Sequence, residues 1–265
     1  MTEPGGRLDL RGTKNVRDLG GLPVADGGAI RDGRLLRAEA LVSTNAHESY
    51  SLWDGDVDGF QALGLRTIID LRATREAEAA ASAWAEATGA QREAIPIDEG
   101  VEGTDTDLFG RILSGDVTVF TDADMGDFYI KCLDRRASDF GRAFALIADE
   151  DRLPALVHCA AGKDRTGLLV ALVLAVLGTP RDVIVDDYTL TGRLLPNRAD
   201  SYRDLFEAND IAMDDVRLIF ETPALAMHMA LDHLDGTYGG AEKYLIGHGG
   251  VTPEQVDSIR RNLIA

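Results

Sequence analysis

The pattern of apolar and polar positions changes character along the chain. Up to about residue 160 the apolar stretches are short, and several are β-branched; beyond it they recur at helical spacing. Residues 1–12 are polar and Gly-rich and read as a loose tail. Gly20-Gly21, Asp26-Gly27-Gly28 and Asp32-Gly33 punctuate the next stretch, predicting turns between strands at Leu22-Pro23-Val24 and Leu35-Leu36-Arg37. A short helix is expected over 55–63 and a buried strand over Thr67-Ile68-Ile69-Asp70-Leu71. Thr74 to Thr88 carries no Gly or Pro and stops at Gly89, a residue suited to a helix C-terminus, so it reads as one helix. Ala94-Ile95-Pro96-Ile97 reads as an edge strand, because Pro cannot donate to a ladder. Phe128, Ile130, Leu133, Phe140, Phe144 and Ile147 form a stripe that predicts a helix from Asp127 to Ala148.

Pro154 to His158 reads as a strand, and Thr166 to Leu177, apolar nearly all round, as a central buried helix. Thr179-Pro180-Arg181-Asp182 predicts a helix with Thr179 as N-cap and Pro180 at its first position. Further helices fit 197–208, 224–235 and 239–246. Thr252-Pro253-Glu254-Gln255 opens a terminal one with a capping-box pattern. The expectation is one α/β domain over 1–265: a central sheet flanked by helices, with a helical C-terminal layer.

Residues 98–127 break the pattern, with nine acids against the single base Arg111. This acidic insertion reads either as a solvated surface excursion or as a lid over an active site. The whole chain of 265 residues is acidic too, with 27 Lys+Arg, 45 Asp+Glu and a net charge of −18. That excludes nucleic acid as a major partner and a polybasic membrane anchor. No apolar signal segment opens the chain, and its longest apolar run, Leu168 to Leu177, is too short to span a bilayer. The localisation expected is cytoplasmic. Two cysteines, Cys132 and Cys159, exclude a disulfide framework. Cys132 reads as a helix-core residue. His228 and His233, five apart, do not share a helix face for a metal.

Candidate chemistry gathers in His158-Cys159-Ala160-Ala161-Gly162-Lys163-Asp164-Arg165-Thr166-Gly167, between a buried strand and a buried helix. A loop of this length can turn its N–H groups onto one point with a helix dipole behind them, which makes an anion site. The same field favours a cysteine thiolate. Arg165 adds a planar fork for phosphate. Ala160, Ala161 and Gly162 are small, so backbone can face the ligand. Lys163 is one of only four lysines and suits a substrate-phosphate contact. Thr166 can donate to the sulfur, and His158 can hold the loop. A cradled thiolate of this kind is a device for attacking phosphorus.

The H-C-x5-R-T-G pattern resembles the signature of cysteine-dependent protein tyrosine phosphatases. Its Ala-Ala-Gly-Lys-Asp filling is similar to the bacterial atypical protein tyrosine/serine phosphatase family, the type of mycobacterial protein tyrosine phosphatase B. Asn15-Val16-Arg17-Asp18-Leu19-Gly20-Gly21, Leu65 to Arg72 with Glu76, and Tyr238 to Leu245 resemble further stretches of that family. The resemblance implies attack by Cys159, a phosphocysteine, stabilisation by Arg165 and the loop amides, and no metal or cofactor. It favours Asp164 as general acid, against an ordinary role for Asp164 as cap of a helix starting at Arg165; Asp70 is the fallback acid. Asp18, with Arg17, either ties the first strand to the loop or lines the pocket, and Arg72 is a further candidate. The substrates implied are phosphorylated proteins or peptides on tyrosine, with serine and threonine as an extension. A phosphoinositide phosphatase, a catalytically weak phosphate-binding module and a rhodanese-like sulfurtransferase are the alternatives.

Overall fold

The computed structural model describes residues 5–44, 50–99, 107–196 and 198–265. Its strands are β1 (Arg17–Asp18), β2 (Leu35–Ala38), β3 (Leu41–Val42), β4 (Ser51–Leu52), β5 (Thr67–Asp70), β6 (Gln91–Ala94) and β7 (Ala155–His158). Five of them make one sheet in the order β1-β2-β7-β5-β6, parallel except for β1. Every residue of β2, β5 and β7 is buried, as parallel strands covered on both faces must be. Alternation assigns the two faces: Leu35, Ile69 and Val157 enter the larger core, Leu36, Ile68 and Leu156 a smaller one around Trp84 and Phe60.

The helices are α1 (Asp58–Gln61), α2 (Thr74–Ala79), α3 (Trp84–Thr88), α4 (Leu108–Leu113), α5 (Asp122–Arg135), α6 (Ala137–Ala148), α7 (Asp164–Val176), α8 (Arg181–Leu194), α9 (Arg203–Glu207), α10 (Met213–Val216), α11 (Ala224–His233), α12 (Ala241–Gly247) and α13 (Pro253–Leu263). The mixed α/β architecture with a helical C-terminal layer agrees with the reading of the sequence. The all-round apolar helix is α7, sunk in the larger core. Thr252 and Gln255 close the capping box of α13, and Gly89 ends α3 with φ +76°.

Several expectations are corrected. The run 74–88 is two helices, because Ala80 is extended and its carbonyl accepts from Arg72 at 2.7 Å, while Ala83 N–H donates to Leu41. Trp84 then turns into the smaller core and donates to the Glu39 carbonyl at 2.9 Å. The run 127–148 begins earlier, at Asp122, and breaks at Arg136, whose guanidinium leaves the helix to bind Glu99. Thr179 does not cap α8: its hydroxyl is buried without a partner among the described residues, and α8 starts after Pro180. Leu22–Val24 contributes one bridge, Pro23 with Ala29, not a strand. The edge strand lies before Pro96, at Gln91–Ala94. From Gly5 onward the supposed loose tail is pinned, with Leu8 N–H on the Val16 carbonyl at 2.9 Å and Leu10 buried. The stretch expected as a helix over 197–208 becomes a 3-10 turn (Asp200–Tyr202) followed by α9, residue 197 lying outside the described residues. Of the acidic insertion, 100–106 lies outside the described residues, and the remainder holds α4 and the start of α5. Among the described residues no helix is long and apolar enough to cross a membrane.

Candidate active site

β7 is the middle strand of the five-stranded sheet, with a parallel neighbour on each side, and the C-terminal ends of such strands are the usual place for a ligand. Cys159 is the next residue. It lines a cavity of about 280 Å³ together with Ala160, Ala161, Lys163, Asp164 and Arg165.

What shapes the loop is visible in where its carbonyls go. Cys159 O accepts from His158 Nδ1 at 2.9 Å and Ala160 O from Ala40 N–H at 2.8 Å. Ala161 O accepts from the Asn15 side-chain amide at 3.0 Å, and Gly162 O from Arg37 at 2.6 Å. In a trans peptide the following N–H points opposite to the carbonyl. Tethering these carbonyls into the protein therefore turns the N–H groups of Ala160, Ala161, Gly162 and Lys163 the other way. None of those four donates to another described residue. They form a nest of amides at the start of α7, an arrangement suited to an anion.

The tethers are themselves held. Arg17 hydrogen-bonds Asn15 Oδ1 and reaches the Asp187 carbonyl at 3.0 Å, while Arg37 is paired with the Asp187 carboxylate. Both arginines are fully buried, and burial, with Arg37 beside it, lowers the Arg17 pKa to about 10, against the pull of Asp187. At Gly162 φ is +66° and a Cβ would lie 2.3 Å from the Ala38 carbonyl oxygen, so only glycine fits.

Arg165 is held by Glu76 in a two-pronged ion pair, one prong at 2.9 Å. Burial opposes its charge, but Glu76 outweighs that and raises its pKa; reciprocally, Arg165 holds Glu76 below the usual range despite burial. Asp164 is the first residue of α7, and its Oδ1 accepts from Tyr129 at 2.7 Å instead of capping the helix. Thr166 is completely buried, and its hydroxyl has no hydrogen-bond partner among the described residues, the Cys159 sulfur included.

The remaining expected site residues are tied to other partners. Lys163 is 2% exposed, and its three N–H groups meet Ile219 O at 2.7 Å, Glu221 O at 3.0 Å and Asp164 Oδ1 at 3.3 Å. In this structure its ammonium docks the 219–221 segment onto the loop instead of standing free for substrate. His158 is fully buried behind the loop, and burial lowers its pKa against the pull of Asp70. Since Nδ1 donates to a carbonyl, neutral Nε2 accepts from Ser82 at 3.3 Å; the ring braces the loop and does not touch the cavity. Asp70 is fully buried between Arg72 at 2.8 Å and Arg92 at 2.9 Å. Burial favours its protonation, yet His158 and Arg72 outweigh that and hold it well below the usual range, and it does not line the cavity. Arg72 belongs to that pair and does not line the cavity. Asp18 ties two turns, accepting from Gly20 N–H at 2.9 Å and Gly33 N–H at 2.6 Å, and does not line the cavity. Cys132 is buried in α5, where burial pushes its thiol pKa far up.

Sequence reasoning missed the tethers Asn15 and Arg37, the Arg165 partner Glu76, the Asp164 partner Tyr129 and the cavity's aromatic wall. Asn15 and Glu76 stood inside the stretches that carried the resemblance. Arg37 was signalled by a charge within an apolar strand. The wall is Phe109, Phe128, Tyr202 and Phe220, with Tyr202 stacked on Phe220 at 4.8 Å and Phe109 edge-on to Tyr202 at 5.3 Å. Nothing in the local pattern announced it. Among the described residues no group of three or more His, Cys, Asp or Glu is placed to hold a metal.

Comparison with known proteins agrees with this geometry. A tyrosine-protein phosphatase of Nostoc commune is 29% identical over 219 residues, covering 80% of this chain and 70% of the relative. The triple specificity protein phosphatase PtpB of Mycobacterium tuberculosis is 28% identical over 206 residues, 71% of this chain and 70% of that one. The model of the tyrosine phosphatase family matches residues 8–265, and with its cysteine loop facing a cavity of loop amides and Arg165, the chain belongs to that family.

Proposed function

We propose that this chain hydrolyses phosphotyrosine monoesters through a phosphocysteine. Cys159 Sγ attacks phosphorus and the P–O bond to the tyrosyl oxygen breaks. Asp164 supplies that oxygen with a proton. Asp164, now a carboxylate, takes a proton from water; the water oxygen bonds phosphorus, the S–P bond breaks, and phosphate leaves with the thiolate restored. The amides of 160–163 and the Arg165 fork would stabilise charge on the equatorial oxygens. Thr166 would have to turn its hydroxyl to donate to the departing sulfur, a bond it does not make among the described residues.

One observation carries the reading: the carbonyls from Cys159 to Gly162 are all tied behind the loop, while Cys159 and Arg165 line the cavity in front of it. The choice of Asp164 follows from its neighbours. Of the carboxylates lining the cavity, Glu76 gives both oxygens to Arg165 and Glu99 gives its two to Arg136 and Arg135, whereas Asp164 meets the Tyr129 phenol and the Lys163 ammonium through one oxygen alone. The aromatic wall supports an aryl ester as the first substrate. Phosphoserine and phosphothreonine would react by the same steps with a poorer leaving group. The engagement of Lys163 by carbonyls counts against the phosphoinositide alternative, which needs loop cations free for extra phosphates.

Phosphate release from an aryl phosphate, phosphotyrosine, phosphoserine and phosphothreonine peptides, and a short-chain phosphoinositide, with chelator present, tests this. Turnover is expected to be fastest on the aryl substrates. Cys159→Ser is expected to abolish it while keeping vanadate binding; turnover surviving that change would remove Cys159 as nucleophile.

A further inference from the structure

Tyr129 lies on α5, 35 residues before Asp164, and its side chain is fully buried. Its hydroxyl is 2.7 Å from Asp164 Oδ1 and 2.8 Å from the Tyr188 hydroxyl. A phenol carries one proton, and the Tyr129 hydroxyl donates it to Asp164 Oδ1. The Tyr129 proton therefore points at Asp164, and Tyr188 must be the donor to Tyr129. The chain has one direction, from Tyr188 through Tyr129 to Asp164.

Both fixed contacts of the Asp164 carboxylate fall on the same oxygen. Oδ1 meets Tyr129 and, at 3.3 Å, Lys163 Nζ; Oδ2 has no recorded partner among the described residues. The other two carboxylates of the cavity differ, since each presents both oxygens to arginine: Glu76 to Arg165, Glu99 to Arg136 and, at 3.7 Å, Arg135. Asp164 alone among them has an oxygen left for the cavity it lines. A group that first gives a proton and then takes one needs one geometry in both states. Oδ1 accepts from Tyr129 whether or not Oδ2 is protonated, so the anchor survives the change.

We infer that Tyr129 is a positioning residue that holds Asp164 Oδ1 and so presents Oδ2 as the oxygen that exchanges the proton, with Tyr188 fixing the Tyr129 hydroxyl in turn. This rests on the proposed role of Asp164 as proton donor. The anchor is stiff. The two tyrosine rings meet edge-on at 5.8 Å and 84°, and a Cβ at Gly167 would sit 3.2 Å from the Tyr188 ring, so glycine there gives the ring its place. Burial raises both phenol pKa values, which keeps both hydroxyls protonated donors.

The test compares Tyr129→Phe, Tyr188→Phe, Asp164→Asn and the Asp164→Asn/Tyr129→Phe double variant on a good and a poor leaving group, p-nitrophenyl phosphate and phosphoserine peptide. Tyr129→Phe should lower kcat about tenfold on the poor leaving group and under twofold on the good one, with KM unchanged, because proton transfer matters only where the leaving oxygen is basic. Tyr188→Phe should give a smaller loss of the same kind. In the Asp164→Asn background Tyr129→Phe should cost nothing further. Equal slowing on both substrates, or a full further loss in the double variant, would make Tyr129 merely structural and overturn the inference while leaving Asp164 as acid. Asp164→Asn showing no leaving-group dependence would instead overturn the role of Asp164, and the inference with it.

Discussion

Gly162→Ala isolates the backbone geometry of the loop from its chemistry, because no functional side chain changes. At φ +66° an L-residue pays about 1–2 kcal/mol. The new methyl would also sit 2.3 Å from the Ala38 oxygen, 2.6 Å from its carbonyl carbon and 2.9 Å from Glu39 N. That is about 1 Å short of ordinary contact, and all three atoms are backbone. β2 cannot retreat, since Ala38 is in register with His158 of β7. The loop must therefore move, stretching the 2.6 Å bond from Arg37 to the Gly162 carbonyl. Overpacking of this kind costs about 1–3 kcal/mol, so the expected destabilisation is about 2–5 kcal/mol in all. A displacement near 1 Å in the cradle should lower kcat about 100-fold. Urea unfolding gives the first number, and steady-state kinetics on p-nitrophenyl phosphate with vanadate inhibition gives the second. A variant within twofold of the parent in kcat and within about 0.5 kcal/mol in stability would refute the argument that the approach of Gly162 to β2 sets the loop.

Glu76→Gln removes the ionised partner of Arg165, and loss of a charge-assisted pair should reduce kcat about 10- to 100-fold. Inhibition by phosphate should weaken much less, since a negative charge leaves the site as well; parallel losses in both would contradict this. Asp70→Asn leaves Arg72 and Arg92 facing a neutral amide in a buried position, and unfolding should show a loss of about 3–5 kcal/mol at neutral pH. Because the folded pKa of Asp70 is depressed, its contribution is complete above the unfolded value of about 3.9 and fades as pH falls toward the folded one. The stability difference between parent and Asp70→Asn should accordingly shrink below about pH 4; a constant difference would show that Asp70 is not the titrating group.

Local signals were read well where the partner lies within a few residues. The Thr252–Gln255 box, Gly89 after α3, the β-branched strand β5 and the apolar α7 all depend on propensity, capping or periodicity within one or two turns. The cysteine loop is equally local in its make-up, since Cys159, the small residues, Arg165 and the following helix are consecutive. The misreadings share a different cause. Nothing between Thr74 and Thr88 disfavours a continuous helix; it breaks because distant groups, Arg72, Leu41 and Glu39, claim the chain around it. Arg136 ends α5 for the sake of Glu99, 37 residues away.

The residues of the candidate site were thus legible in their order, because a cysteine, an arginine and a run of small residues between them need only ten consecutive positions. How that chemistry is aimed was not. The Ala161 carbonyl is turned back by Asn15 across 146 residues, Arg165 is held by Glu76 across 89, and Asp164 by Tyr129 across 35. Lys163 gives two of its three N–H groups to a segment 56 and 58 residues on, which no reading of the loop could foresee. Such pairings depend on which side chains the packed sheet and helices bring within about 3 Å, and a hydrogen bond at that distance leaves no periodic trace along the chain.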